Sequence, residues 1–113
     1  MTPDQEITRR KRAVAAARGL LSMEFGLAFG AKRVRDALWR LGHDVPKSFP
    51  TFDLFLNAIP NTTPLGELRL LCQENLLLSS DEVLARVEGK YRQALLRECL
   101  SVIRAYSPIV VAA

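Results

Sequence analysis

Apolar residues recur every three or four positions through the last third of the chain, which is the spacing of an α-helix. The series runs through Leu84, Val87, Tyr91, Leu95, Cys99, Val102 and Tyr106, and it is widened by Leu96, Leu100 and Ile103. A wide apolar face contacts more than one neighbour, so we predict a helix over about residues 80–106 at the centre of a bundle. The motif Ser79-Ser80-Asp81-Glu82 predicts a capping box at its start, and Pro108 predicts its end.

The N-terminal part contains the pattern of two more helices. The motif Thr2-Pro3-Asp4-Gln5 supplies an N-cap, a first-turn proline and a capping-box partner, so a helix is predicted over about residues 3–23. A second helix is predicted over about residues 28–41, because one side of it is apolar at Ala31, Val34, Leu38 and Leu41. Gly42 follows and is predicted to adopt the left-handed conformation common after helix ends.

Two shorter segments complete the predicted fold. Residues 52–59 alternate as in a strand but also fit a short helix, and we predict the helix because the chain offers no second strand for pairing. Residues 64–75 are predicted to form another helix, with Thr63 as its N-cap. The chain is therefore predicted to be a single all-α domain over residues 1–113, a compact bundle of four to five helices.

Basic residues are concentrated in the N-terminal part of the chain. Of 16 Lys and Arg and 12 Asp and Glu, nine bases but only four acids lie within residues 1–42. This asymmetry indicates an acidic partner: a nucleic acid, a phospholipid or an acidic protein. A nucleic-acid site would use Arg9, Arg10, Arg12, Lys32, Arg33 and Arg35. Consecutive bases on a helix point to all its sides, however, so residues 9–12 are not expected to form a single recognition face.

Trp39 lies off the apolar stripe of the second predicted helix and directly precedes Arg40. An exposed tryptophan beside an arginine is typical of a hot spot in a protein–protein interface. The predicted partner-binding set is therefore Trp39 and Arg40 with Arg33 and His43 nearby. Alternatively, Trp39 covers the edge of the core.

Few residues in the sequence are suited to metal or nucleophilic chemistry. His43 is the only histidine, and together with Asp44 it offers at most two ligands where a metal site needs three or four. The sequence contains no phosphate-binding glycine motif and no nucleophile elbow. We therefore expect no metal, no cofactor and no enzymatic activity.

The cysteines and the N-terminal residues indicate a compartment. Cys72 and Cys99 each lie in an apolar helical pattern, without a CxxC motif, and are predicted to be core thiols of a reducing compartment, with a disulfide as the alternative. The first residues are polar, and no apolar run approaches the length of a membrane span. We therefore predict a cytoplasmic protein with no membrane partner.

Glu24 follows Leu20 and Leu21 on the apolar side of the first predicted helix. A carboxylate buried there needs a partner, and Arg33 and Arg69 are the predicted ones. Together with Glu67, which lies near Arg69 in the chain, these residues form a predicted structural charge clasp. The alternative is a small enzyme that uses Glu24 as a general base beside an arginine.

Two stretches resemble a group of small bacterial proteins of about this length. They are ARGLLSMEFGLAFGAKRV at residues 17–34 and FLNAIPNTTPLGELR at residues 55–69. The resemblance implies a bacterial, cytoplasmic, single-domain setting, and it carries no known activity. The residues of this chain that sit in the shared pattern are Glu24, Arg33, Gly66, Glu67 and Arg69.

A helical bundle without a chemical site is suited to binding. The leading hypothesis is a non-enzymatic module that binds another, acidic protein, as an inhibitor of the immunity or antitoxin type. The alternatives are a nucleic-acid-binding protein that uses the basic N-terminal helices and the small enzyme with Glu24. The sequence alone leaves the oligomeric state open.

Overall fold

Four α-helices and one short 3-10 helix make up the described part of the protein. The structure is a computed structural model that describes residues 2–24, 26–60 and 74–107, and of residues 74–77, 79 and 80 it describes only the backbone. The elements are α1 (Pro3–Leu21), α2 (Leu27–Leu41), the 3-10 helix (Val45–Ser48), α3 (Pro50–Ala58) and α4 (Glu74–Tyr106). No strand occurs within these ranges, and the predicted all-α bundle is confirmed. The single domain over residues 1–113 stays a prediction, because it includes residues outside the described ranges.

The start of α1 forms as its sequence predicts. The backbone N–H of Gln5 donates to Thr2 Oγ1 at 3.2 Å, and the N–H of Thr2 donates to Gln5 Oε1 at 3.1 Å. Two amides at the helix start are satisfied by this reciprocal pair, which is the capping box.

α1 ends at Leu21 and not at residue 23, because a left-handed residue follows it. Met23 has φ 60, and around it the N–H of Met23 donates to the Leu20 carbonyl at 3.2 Å. The N–H of Glu24 donates to the Gly19 carbonyl at 3.1 Å, which completes a Schellman motif. The predicted position of Glu24 on the apolar side of α1 is therefore wrong, since the chain has already left the helix.

The second helix ends at Leu41 as predicted, but the conformation predicted for Gly42 is wrong. Gly42 has φ 164 and ψ 152, which is extended backbone. Its N–H donates to the Trp39 carbonyl at 3.2 Å, and its own carbonyl accepts from Val45 at 3.2 Å. These two bonds carry the chain directly from α2 into the 3-10 helix, so the connection does not pass through a left-handed residue.

The segment around residues 52–59 is helical, as the absence of a partner strand predicts. α3 begins at Pro50, slightly earlier than predicted, and it buries Phe52 and Phe55. Proline is favourable in the first turn of a helix because it has no N–H to satisfy. Phe49 at the N-cap provides no side-chain cap, so the start of α3 depends on another helix.

The predicted start of the last helix is wrong. α4 begins at Glu74, so the motif Ser79-Ser80-Asp81-Glu82 lies inside it and does not cap it. The preceding residues include good helix formers, and a continuous helix keeps the backbone hydrogen bonds that a break at Ser79 would lose. The predicted helix over residues 64–75 falls almost entirely on residues 61–73, which lie outside the described ranges.

The core lies where the first three helices face α4. Its buried side chains are Ala13, Ala17 and Leu20 of α1, Leu27, Ala28, Ala31, Val34 and Leu38 of α2, Phe52 and Phe55 of α3, and Leu95, Cys99 and Val102 of α4, with Phe49 and Ile59 at the ends of α3. Small residues let α1 and α2 approach each other. At Gly30, a Cβ atom would lie 2.5 Å from Leu20 Cδ1.

Cys99 is part of this core, which confirms its predicted core position, while the reducing compartment stays a prediction. Its thiol is free and buried, and burial, helped by the charge of Glu98, raises the pKa of the thiol to about 12. Cys72 lies outside the described residues. None of the described helices combines the length and the apolar character that a membrane crossing requires.

Candidate interaction surface

The exposed side of α2 carries Trp39, a residue that is 54% exposed. Its ring meets the ring of His43 edge to face, with the centroids 4.6 Å apart and an angle of 77° between the planes. Aromatic pairs in this geometry stabilise each other modestly, so His43 restrains the indole. Of the two alternatives left by the sequence, exposure and cover of the core edge, the structure supports exposure.

Trp39 and His43 line a surface cleft of about 410 Å³, the Trp39 cleft. The other residues of the cleft are Arg35, Asp36, Pro46, Lys47 and Asp53. The 3-10 helix shapes the cleft because Pro46 is buried against the bundle.

Arg35 connects two walls of the Trp39 cleft. Its Nη2 lies 3.2 Å from Asp36 Oδ1, and its Nε lies 4.0 Å from Asp53 Oδ1 on α3. At the rim of the cleft, Lys47 Nζ lies 3.3 Å from Asp44 Oδ1. The cleft therefore contains an aromatic pair, and the charged side chains around this pair partly neutralise one another.

A second cleft runs between α1 and α2 and contains four arginines. This arginine groove has a volume of about 490 Å³ and is lined by Arg9, Arg12, Ala15, Ala16, Glu24, Arg33, Asp36, Ala37 and Arg40. Its residues follow from helical spacing: Arg9, Arg12 and Ala16 lie on one side of α1, and Arg33, Ala37 and Arg40 on one side of α2. The alanines leave room between the helices, so the arginines surround a shallow apolar floor.

Arg9 and Arg40 are joined across the groove. Arg9 Nη1 donates to the backbone carbonyl of Arg40 at 2.9 Å, in the last turn of α2. This bond satisfies a carbonyl that the helix end leaves unpaired, and it places a cation where the helix dipole favours one. Among the described residues, neither the Arg12 side chain nor the Arg40 side chain has a hydrogen bond or an ion pair.

The other bases of residues 9–12 point elsewhere, in agreement with the expectation that the run forms no single face. Arg10 Nη2 donates to the carbonyl of Ala105 at 3.2 Å, and its guanidinium carbon lies 5.6 Å from the centroid of the Tyr106 ring. Lys11 lines a further cleft with Arg18 and Ser107. Of the second basic cluster, Arg33 joins the arginine groove, Arg35 lies in the Trp39 cleft, and Lys32 is exposed.

Glu24 is exposed at the end of the groove where α1 turns into α2. The predicted ion pair between Glu24 and Arg33 is not formed in the described part of the chain, although both residues line the groove. The Schellman motif accounts for this, since it turns the chain so that Glu24 faces solvent. The other half of the predicted clasp, Glu67 and Arg69, lies outside the described residues.

The role of Glu98 as a cap for α3 was not predicted from the sequence. Both of its carboxylate oxygens accept from the N–H of Thr51, at 3.0 and 3.3 Å, so a residue of α4 caps the start of α3. Burial raises the pKa of Glu98 above its ordinary value of 4.5, while the bond from Thr51 acts in the opposite direction. No local signal in the sequence links residues that far apart.

The sequence did contain a signal for the arginine groove. Arg9, Arg12 and Ala16 alternate with the core positions of α1 at a spacing of three or four, as do Arg33, Ala37 and Arg40 on α2. What the sequence did not supply is the pairing of these two helix sides. Within the described ranges, no three His, Cys, Asp or Glu side chains converge as a metal site. Comparisons with protein-family models, with curated proteins and with solved structures gave no match to this chain.

Proposed function

We propose that this protein is a non-enzymatic module that binds another protein through the exposed side of α2. The observation that carries the proposal is the exposure of Trp39, the only tryptophan, at 54% on a regular helix. Trp39 serves as the anchor, with His43 beside it and with Arg33 and Arg40 on the neighbouring side of the helix. Tryptophan and arginine are the residues that most often dominate binding energy in interfaces.

The position of the Trp39 cleft directly beside the arginine groove supports this function. Asp36 lines both the Trp39 cleft and the arginine groove, so the two clefts adjoin along α2. A partner that covers Trp39 therefore also reaches Arg40. Burial of half an indole ring on binding is favourable, and the charged residues around it set orientation and partner choice.

The form of this function that we favour is an inhibitor of the immunity or antitoxin type in the cytoplasm of a bacterium. The net charge of +4 suits an acidic target. It does not suit a nuclease, whose substrate cleft is normally basic. The resemblance to small bacterial helical proteins supports the setting and stays a prediction.

A photo-crosslinking amino acid at position 39 in the native host tests the proposal. We expect one crosslinked protein, displaced by an excess of the wild-type chain but not by Trp39→Ala. The matched control places the crosslinker at Leu100, an exposed apolar residue of α4, where that protein should not be captured. Equal capture at both positions, or displacement by Trp39→Ala, would contradict the proposal.

Nucleic-acid binding is the second candidate function, favoured by the four arginines that converge in the groove. It predicts an affinity for an oligonucleotide that falls steeply as the salt concentration rises. The enzyme alternative requires Glu24 to act with an arginine, but its carboxylate is exposed and not enclosed with one. That geometry supports binding over general-base chemistry.

A further inference from the structure

We infer that the arginine groove binds an acidic segment of the partner protein, with carboxylates at Arg12 and Arg40. The inference rests on the proposed function, since it assigns the chemistry of the segment that lies beside the Trp39 anchor. It names a second part of the interface, on the α1 side of α2.

Charge varies along the groove. The bond from Arg9 to the Arg40 carbonyl marks one end, and Glu24 in the turn between α1 and α2 marks the other. Arg12 lies one helical turn along α1 from Arg9, so three arginines gather at the first end. At that end, the guanidiniums of Arg12 and Arg40 are exposed and have no partner among the described residues.

An exposed guanidinium without a partner is suited to bind a carboxylate through two parallel hydrogen bonds, that is, in a bidentate geometry. Because Arg12 and Arg40 form no ion pair with any described residue, binding a carboxylate does not first require such a contact to break. The bond from Arg9 to the Arg40 carbonyl holds the ends of the two helices together, so the arginine pair is positioned before the partner arrives.

Two features favour a protein segment over the phosphate backbone of a nucleic acid. First, Glu24 and Asp36 interrupt the positive surface, and they repel a ligand that carries a charge at every unit. A protein segment can place acids opposite the arginines and neutral or basic residues opposite the carboxylates. Second, none of the described residues that line the groove is aromatic, so those residues offer bases no ring on which to stack.

The floor of the groove fits the same ligand. Ala15, Ala16 and Ala37 present methyl groups and let another chain come close to the helices. From Arg9 to Ala16 the floor extends about 10 Å along α1, which is about two helical turns. The occupant is therefore a short acidic segment with small or apolar side chains facing the alanines.

The test compares two probes, a short poly-L-glutamate and an oligothymidylate, by isothermal titration calorimetry at one fixed salt concentration. Arg12→Glu/Arg40→Glu reverses the charges of these two arginines. The matched control, Arg86→Glu/Arg97→Glu, makes the same change in net charge at two exposed positions of α4 outside the clefts described above. Arg12→Gln/Arg40→Gln repeats the test without adding acids, in case the reversal disturbs the fold.

We expect the groove variants to bind poly-L-glutamate at least about tenfold more weakly, and the control to stay within about twofold of the wild type. Glu24→Gln should bind poly-L-glutamate more tightly. If groove and control variants bound poly-L-glutamate equally weakly, the peptide would be responding to net charge and not to the groove, and the inference would be overturned. Tighter binding of oligothymidylate, lost in the groove variants, would overturn it in favour of nucleic acid.

The proposed function can fail separately from this inference. If crosslinking at position 39 captures a partner that Arg12→Gln/Arg40→Gln still displaces fully, the Trp39 interface stands and the groove inference fails. If the groove variants lose poly-L-glutamate binding but position 39 captures no specific partner, the groove inference on charge stands and the Trp39 anchor fails.

Discussion

Arg10 of α1 donates a hydrogen bond to the backbone carbonyl of Ala105, 3.2 Å away in the last turn of α4. Its neighbour Arg9 does the same for α2 through the carbonyl of Arg40. Glu98 of α4 caps the start of α3 through the N–H of Thr51. Backbone groups at three helix ends are thus satisfied by charged side chains of other helices. These bonds help to hold the helices in their packed arrangement.

Arg10→Ala is expected to lower the free energy of unfolding by about 1 kcal/mol, through loss of the bond to Ala105 and of the cation–π contact with Tyr106. Urea denaturation measures the change. The matched control is Lys11→Ala, an exposed neighbour, which should change stability by less than about 0.5 kcal/mol. Equal effects of the two substitutions would show that Arg10 does not act as a cap.

Gly30→Ala is expected to destabilise the protein by about 1–3 kcal/mol, because the new methyl group would lie 2.5 Å from Leu20 Cδ1 in a packed helix contact. The control is Gly89→Ala on α4, where a Cβ meets nothing within 4 Å. There the greater helix propensity of alanine should stabilise by about 0.5–1 kcal/mol. Thermal unfolding of the two variants should therefore shift in opposite directions, and a Gly30→Ala chain that is as stable as the wild type or more stable would contradict the close packing at Gly30.

Met23→Gly is expected to stabilise the protein by about 0.5–1 kcal/mol, because Met23 adopts φ 60, where a side chain is strained and glycine is not. At 49% exposure, Met23 loses little burial on substitution. The control is Ser22→Gly at φ −81, a conformation that needs no glycine, and it should not stabilise. If the Met23→Gly chain unfolds at a lower urea concentration than the wild type, the backbone at Met23 is not strained in the way proposed here.

Glu98 makes the stability depend on pH in a defined direction. Its pKa in the folded state is raised above its ordinary value of 4.5, so the folded state holds more protons than the unfolded chain in the window above 4.5. The contribution of Glu98 to the free energy of unfolding is therefore greatest below that window, and it falls as the pH rises through the raised pKa.

Glu98→Gln keeps an oxygen for the Thr51 N–H and removes the titration. Relative to the wild type, this variant should gain stability between pH 4 and pH 7 in urea denaturation series. Glu98→Ala also loses the cap and should cost about 1 kcal/mol at pH 7 compared with Glu98→Gln. If instead the wild type became more stable relative to Glu98→Gln as the pH rises, folding would lower the pKa of Glu98 and not raise it.

Local patterns predicted the helices well where the deciding contacts are local. The capping box at Thr2 and Gln5 forms as its spacing predicts, because both partners lie in one helical turn. The periodic apolar residues of α4 predicted its course, since a helix must bury such a face. The Ser79–Glu82 motif predicted a start that is wrong, because a capping motif does not show whether the preceding residues are also helical.

Periodicity placed Trp39 outside the apolar stripe of α2 but left open whether the residue is exposed or covers the edge of the core, and the structure shows that it is exposed. The position of Glu24 could not be predicted from periodicity, because it depends on where α1 ends. A left-handed methionine ends the helix before Glu24, and methionine is not a residue from which that conformation is predicted.

The all-α fold, the apolar faces of the helices and the concentration of bases in the N-terminal part could be predicted from the sequence, because helical period and composition are properties of the chain alone. The packing of the helices was needed to show that Arg9 and Arg12 share a groove with Arg33 and Arg40, whereas Arg10 caps α4. Each of these relations joins residues on different helices, and such distances are set by how the helices pack, which no local spacing encodes.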